Sequence, residues 1–164
     1  MTGDASNAVV LHSSSQKKLH PLFVYGTLIF PEVVAALLGA LSEARPATAK
    51  GFSVRALKGR IYPGLAEEAG ALAEGILYYG LDGEKMDTLD RFEGEEYRLS
   101  EIRVACGEEE LTALVYLLAE PFTELLTVDR WDRLRFFQNH LDSYVKLCRS
   151  AGPMSAAELT CGGK

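Results

Sequence analysis

The apolar positions of the chain follow two rhythms, and each predicts an element. LFVYG, Leu22 to Gly26, is a compact apolar run that stops at a glycine, the pattern of a buried strand entering a turn. PEVVAALLG follows with Pro31 at a helix start and Gly39 as its stop. From Thr48 to Leu81 the text turns strand-like in three pieces, TAKGFSVRAL, RIYPGL and ALAEGILYYGL, punctuated by Gly51, Gly59, Pro63, Gly64, Gly70 and Gly75. Asp82 then caps a predicted helix with Met86, Leu89 and Phe92 on one side and Asp87, Asp90 and Arg91 on the other, ending at or near Gly94. YRLSEIRVA and LTALVYLLA, joined by the turn-like CGEEE, predict a β-hairpin. After Asp129, the residues Trp131, Leu134, Phe137, Leu141, Val145 and Cys148 trace one face of a long helix. Asp132, Arg133, Arg135, His140, Asp142 and Lys146 lie on the other.

The predicted order is therefore strand, short helix, several strands, helix, hairpin, long helix. It lacks the regular βαβα alternation of a doubly wound sheet. The expected fold class is α+β: a small mixed β-barrel flanked by two or three helices. Residues 1–19 are polar and serine-rich, with too little apolar surface to offset the entropy of ordering, and are expected as a flexible N-terminal tail. Residues 151–164, with Gly152, Pro153, Gly162 and Gly163, are expected as a flexible C-terminal tail, leaving one domain over 20–150.

Composition narrows the functions open to such a domain. A chain of 164 residues is long enough to bury one core without staples. A formal charge of -6 and the lack of a dense Lys/Arg block argue against nucleic acid as a partner, since phosphate binding relies on clustered positive charge. The three cysteines, Cys106, Cys148 and Cys161, are odd in number, widely spaced and without a CxxC pair, which suits a reducing compartment. No apolar stretch reaches bilayer length, and the opening residues do not resemble a signal peptide, so no membrane association is expected and the expected location is cytoplasmic. No metal-ligand spacing and no phosphate-loop pattern is present; His12, His20 and His140 form no evident catalytic pair.

Two stretches carry candidate chemistry. In VYGTL, Val24 to Leu28, a strand ends where Gly26 lets the backbone approach a ligand and adopt dihedrals that other residues avoid, so successive N–H groups could cradle a carboxylate or oxyanion. The same letters also fit a plain strand end with Tyr25 in the core. In LDRFEGEEYRL, Leu89 to Leu99, Glu93 directly follows a core-facing Phe92 at the negative end of a helix. Burial and the helix dipole both disfavour a charged carboxyl there and push its pKa above the usual value of about 4.3, towards the range of a general base. Glu95 and Glu96, past Gly94, read as solvated, and on local sequence alone a wet acidic surface that includes Glu93 is the commoner state of such a run. Tyr62, Tyr78, Tyr79, Tyr97 and Tyr116 lie in or near strands, where packing is the usual role and one or two could reach a pocket.

FVYGTL, GRIYPGL, LDRFEGEEYR and a later strand with VYLL, taken together and in this order, resemble the γ-glutamylcyclotransferase-like family, which includes γ-glutamylamine cyclotransferases and plant avirulence-induced relatives. The resemblance spans about Leu22 to Leu118 and implies a small β-barrel with flanking helices. It implies that Tyr25, Gly26, Thr27 and Leu28 bind the glutamyl moiety through backbone groups, that Glu93 is the catalytic acid, and that Tyr97 and Arg98 correspond to the Tyr and Arg that follow the family's FEG triplet. The acidic pair Glu95 and Glu96 departs from many relatives at the pocket rim. The implied reaction turns a γ-glutamyl amide into 5-oxoproline and a free amine by intramolecular attack, with Glu93 as general acid/base, Tyr97 beside the substrate and no cofactor. A non-catalytic small-molecule-binding or interaction domain that retains the γ-glutamyl pocket is the alternative.

Overall fold

A computed structural model describes residues 20–41 and 43–151; the expected tails, over 1–19 and beyond Ala151, lie outside the described residues, as does Cys161. The elements run β1 (Leu22–Val24), a 3-10 turn (Thr27–Ile29), α1 (Pro31–Leu38), β2 (Glu43–Leu57), β3 (Pro63–Tyr79), α2 (Gly83–Glu93), a 3-10 turn (Gly94–Glu96), β4 (Tyr97–Cys106) and β5 (Glu109–Leu118). A third 3-10 turn (Phe122–Leu125), β6 (Leu126–Arg130), α3 (Arg133–Asn139) and α4 (Leu141–Ala151) complete them.

The strands are ordered β3-β1-β5-β4-β2, and pairing of β2 with β3 closes the ring into a five-stranded barrel, with β6 joined to β2 outside it. β1 runs parallel to β5, whereas the β1–β3, β2–β3, β2–β4 and β4–β5 pairs are antiparallel, so the barrel is mixed. Its α+β character agrees with the sequence pattern. The β4–β5 hairpin closes through Gly107 and Glu108, where Cys106 pairs with Glu109 and Gly107 supplies the positive φ, 65°, that so tight a turn demands.

Alternation along the strands sorts the core into two layers. Phe23, Leu77, Val104 and Val115, with the small Ala49, Ala73 and Ala113, form a cluster of strand residues that fills the barrel. The intervening Leu22, Val24, Leu114 and Leu118 pack against Val33, Met86, Leu89, Phe92 and Phe136 of the helices. β1 passes close to β3: a Cβ on Gly75 would sit 2.2 Å from the Val24 carbonyl oxygen, so only glycine fits there.

The long helix expected after Asp129 is two helices. His140 stands between them with φ -127°, outside the helical range, while its N–H still donates to the Phe136 carbonyl. The break rotates the buried face. Leu134 and Phe137, read as core, are 62% and 52% exposed, and Phe136 and Tyr144 are buried in their place; Leu141, Val145 and Cys148 are buried as the pattern predicts. RIYPGL also divides: Arg60 to Tyr62 form a bend, and the strand starts at Pro63.

Candidate active site

α2 delivers Glu93 to the mouth of the barrel. Asp82 caps it by accepting a hydrogen bond from the Lys85 N–H at 2.9 Å, and Met86, Leu89 and Phe92 bury its inner face. Phe92 meets the Tyr144 ring edge-on at 6.2 Å, which fixes the last turn against α4. Gly94 ends the helix at φ 66°, a backbone state that favours glycine, and its N–H donates to the Asp90 carbonyl. The chain then leaves through the 3-10 turn into β4, so Glu93 is held between a packed aromatic and a glycine stop.

The pocket that Glu93 enters is lined on one side by Phe23, Val24, Tyr25, Gly26, Thr27 and Leu28, and elsewhere by Tyr62, Pro63, Phe92, Tyr97, Tyr116 and Tyr144. All six predicted site residues, Tyr25, Gly26, Thr27, Leu28, Glu93 and Tyr97, therefore line one cavity. Gly26 has φ -119° and needs no positive φ; a Cβ there would lie 2.9 Å from the Pro63 ring, so glycine is required for this close approach. As the opening of a 3-10 turn, the N–H groups of Thr27 and Leu28 have no partner within that turn.

Three phenols tie the frame together. Tyr25 donates to the Tyr116 carbonyl at 2.6 Å, Tyr97 to the Pro63 carbonyl at 2.6 Å and Tyr78 to the Leu28 carbonyl at 2.9 Å. Tyr97 thus presents its ring to the cavity with its hydroxyl proton already engaged. Thr27 Oγ1 donates to Tyr144 Oη at 3.4 Å, a long contact that links the loop to α4. Burial pushes the hydroxyls of Tyr25, Tyr97 and Tyr144 well above the ordinary tyrosine value, so they remain neutral donors.

Glu93 is the acidic member of the lining. Its residue is partly exposed, but the carboxyl is enclosed, and its pKa is pushed up to about 8, first by burial, then by the negative charges of Asp90 and Glu96. Such a carboxyl can both accept and return a proton near neutral pH. The lining contains no Lys, Arg or His, and the phenols of Tyr25, Tyr62, Tyr97 and Tyr116 donate to protein acceptors, which leaves backbone N–H groups and the Tyr144 hydroxyl as the donors for an anionic group. Among the described residues no group of three His, Cys, Asp or Glu side chains could hold a metal ion.

Glu96 corrects its sequence reading. Expected in solvent, it is 5% exposed. Its carboxylate accepts from Tyr62 Oη at 2.6 Å and pairs with Arg60 Nη2 at 2.8 Å. These partners lie 34 and 36 residues away in sequence, so no local pattern announces them. Tyr62 and Tyr116, considered for packing, reach the pocket; Tyr144 lies outside the sequence reading, whose single stripe over an unbroken helix runs from Phe137 through Leu141 to Val145 and Cys148 and passes it by. The apolar set Leu141, Tyr144, Val145 and Cys148, spaced by three and four, was the available signal.

Residues 22–133 match the sequence profile of the family described as "Gamma-glutamyl cyclotransferase, AIG2-like". AIG2-like protein D of Arabidopsis thaliana is 28% identical over 134 residues, spanning 80% of this chain and 88% of that protein. AIG2-like protein A of the same plant is 35% identical over 85 residues, about half of each chain, 52% and 52%. A solution structure of an Arabidopsis thaliana protein superposes with a TM-score of 0.58 at 25% identity, covering 77% of this chain and 86% of that one. A solved chain titled "Gamma-glutamyl cyclotransferase" shares the fold, with a TM-score of 0.53 and 15% identity over 88% of this chain and 99% of that one. With all five strands of its barrel and Glu93 inside the matched segment, the chain belongs to the AIG2-like γ-glutamyl cyclotransferase family.

Proposed function

We propose that the protein is a γ-glutamylcyclotransferase-type enzyme that converts a γ-glutamyl amide into 5-oxoproline and a free amine. The observation that carries this is the enclosed Glu93 carboxyl, with a pKa near 8, facing the 25–28 loop across one aromatic pocket. The substrate's α-amine attacks its own side-chain carbonyl carbon; a C–N bond forms to close the lactam and the C–N bond to the leaving amine breaks. Glu93 takes one proton from the attacking nitrogen and returns it to the leaving nitrogen, so the enzyme ends unchanged. The tether between nucleophile and carbonyl supplies much of the acceleration once the pocket bends the substrate into the attacking conformer. The amides of Thr27 and Leu28, with Tyr25 and Gly26 shaping the turn, bind the substrate carboxylate or the developing oxyanion, and the Tyr97 ring bounds the far side. Written this way, the reaction is redox-neutral, consumes no water and draws on no cofactor. The free thiols Cys106 and Cys148 fit a cytoplasmic setting for it.

The test is incubation of the purified protein with a panel of γ-glutamyl amino acids, γ-glutamyl amines and glutathione in oxygen-18 water, read by mass spectrometry. The expected result is unlabelled 5-oxoproline from at least one member, whose released amine identifies the leaving group. Labelled glutamate would replace cyclisation by hydrolysis, and binding without any product would replace catalysis by the binding-domain role.

A further inference from the structure

Three carboxylates stand at a spacing of three in the segment that carries Glu93: Asp90, Glu93 and Glu96. The first two lie on the last turn of α2 and the third on the 3-10 turn that follows, where three residues make a turn, so the trio stays on one side of the chain. The two outer members share an arrangement. Tyr116, from β5, donates to Asp90 Oδ1 at 2.6 Å, and Tyr62, from the β2–β3 connection, donates to Glu96 Oε1 at 2.6 Å. Both tyrosines line the pocket. Glu96 is buried and held a second time by Arg60, so its charge is fixed in place; Asp90 lies at the surface with one oxygen fixed by the phenol. Glu93, between them, has no such partner among the described residues.

We propose that Asp90 and Glu96 are positioning residues: the hydrogen bond that each accepts from a pocket tyrosine, one on either side of Glu93, fixes the walls and the acidic surroundings in which Glu93 works. This rests on Glu93 being the acid/base of the proposed reaction. The physical ground is that a like charge disfavours ionisation of its neighbour, which raises the affinity of that neighbour for a proton. The groups facing Glu93 are Asp90 from α2, Glu96 from the turn, and the neutral phenols of Tyr25, Tyr62, Tyr97, Tyr116 and Tyr144 from the strands, the connecting loops and α4. Arg60, engaged by Glu96, is the cation bound into this set. Removing either outer charge while keeping an acceptor for its tyrosine should therefore leave the walls standing and weaken Glu93 as a base.

The experiment uses the full chain with carbon-13 in its glutamate carboxyls. The Glu93 resonance is assigned by its loss in Glu93→Gln, and its titration midpoint is compared among wild type, Asp90→Asn and Glu96→Gln, with circular dichroism as a check of folding. Each substitution should lower the midpoint by about half a pH unit or more. The acid limb of kcat/KM should move to lower pH with it, while the plateau of kcat falls; a packing defect would reduce the rate without moving the limb. Unchanged midpoints in both folded variants would overturn the proposal, and should Glu96→Gln fail to fold, the surface position of Asp90 keeps the test decisive. Absence of 5-oxoproline from the wild type would reject the cyclotransferase reading separately, since the titration needs no substrate.

Discussion

The segments Asp90 to Tyr97 and Cys106 to Glu110 look alike as text. Each holds three glutamates beside a glycine of positive φ, Gly94 at 66° and Gly107 at 65°. In the first, Glu96 is buried on Arg60 and Tyr62 and Glu93 has its carboxyl enclosed in the pocket; in the second, Glu108, Glu109 and Glu110 are all exposed at a hairpin tip. What separates them is the residue on the near side. Phe92 is fully buried against Tyr144 and drags the next carboxyl inward, whereas Cys106 is a small side chain, only half-buried at the end of β4, and the glutamates after Gly107 stay outside. A charge run is thus read by its anchors, and a glycine turn is only the hinge that lets the anchors act.

The difference can be broken by removing the anchor. Phe92→Ala should destabilise the fold by roughly 3 to 5 kcal/mol in denaturant unfolding, because it empties a fully buried aromatic site. A loss below about 1 kcal/mol would mean that the helix end is held by something else.

It can be sharpened through pH. The folded-state pKa of Glu93, about 8, lies above its ordinary value of 4.5, so the fold favours the protonated form. That contribution is fully present below the ordinary value and is lost as pH rises through about 8. Glu93→Gln, which cannot ionise, should gain on the wild type by roughly 2 to 4 kcal/mol between about pH 5 and pH 9 in paired unfolding curves. Parallel curves across that range would place Glu93 in solvent.

Sequence already shows the anchor and the hinge. The i, i+3 spacing of Met86, Leu89 and Phe92, the Asp82 cap and the Gly94 stop made α2 readable in full, and LFVYG and the hairpin were equally plain because their apolar alternation is local. Glu96 and Tyr144 were not. One is buried by partners 34 and 36 residues distant, and the other is turned inward by a helix break at His140 that no proline or glycine announces. β6 escaped notice for a related reason, as its Val128 is exposed and its residues lack an apolar stripe.

Two smaller changes compare the hinges and the charges directly. Gly94→Ala and Gly107→Ala should each cost about 1 kcal/mol, since both demand a positive φ, but only Gly94→Ala should depress turnover, by displacing Glu93. Equal effects on turnover would detach the hinge from the site. Smallest of all, Glu108→Gln, Glu109→Gln and Glu110→Gln should shift stability by no more than about 0.5 kcal/mol and leave turnover unchanged; a marked loss would give the hairpin tip a part in function.

The central claim is that Glu93 moves the proton in a cyclisation. Its most direct test is 5-oxoproline release by wild type and Glu93→Gln at equal concentration, on whichever panel substrate is turned over, with 5-oxoproline binding measured for both. The account predicts retained binding and a loss of turnover of about 10²- to 10⁴-fold in the variant. Equal release by the two proteins would contradict it.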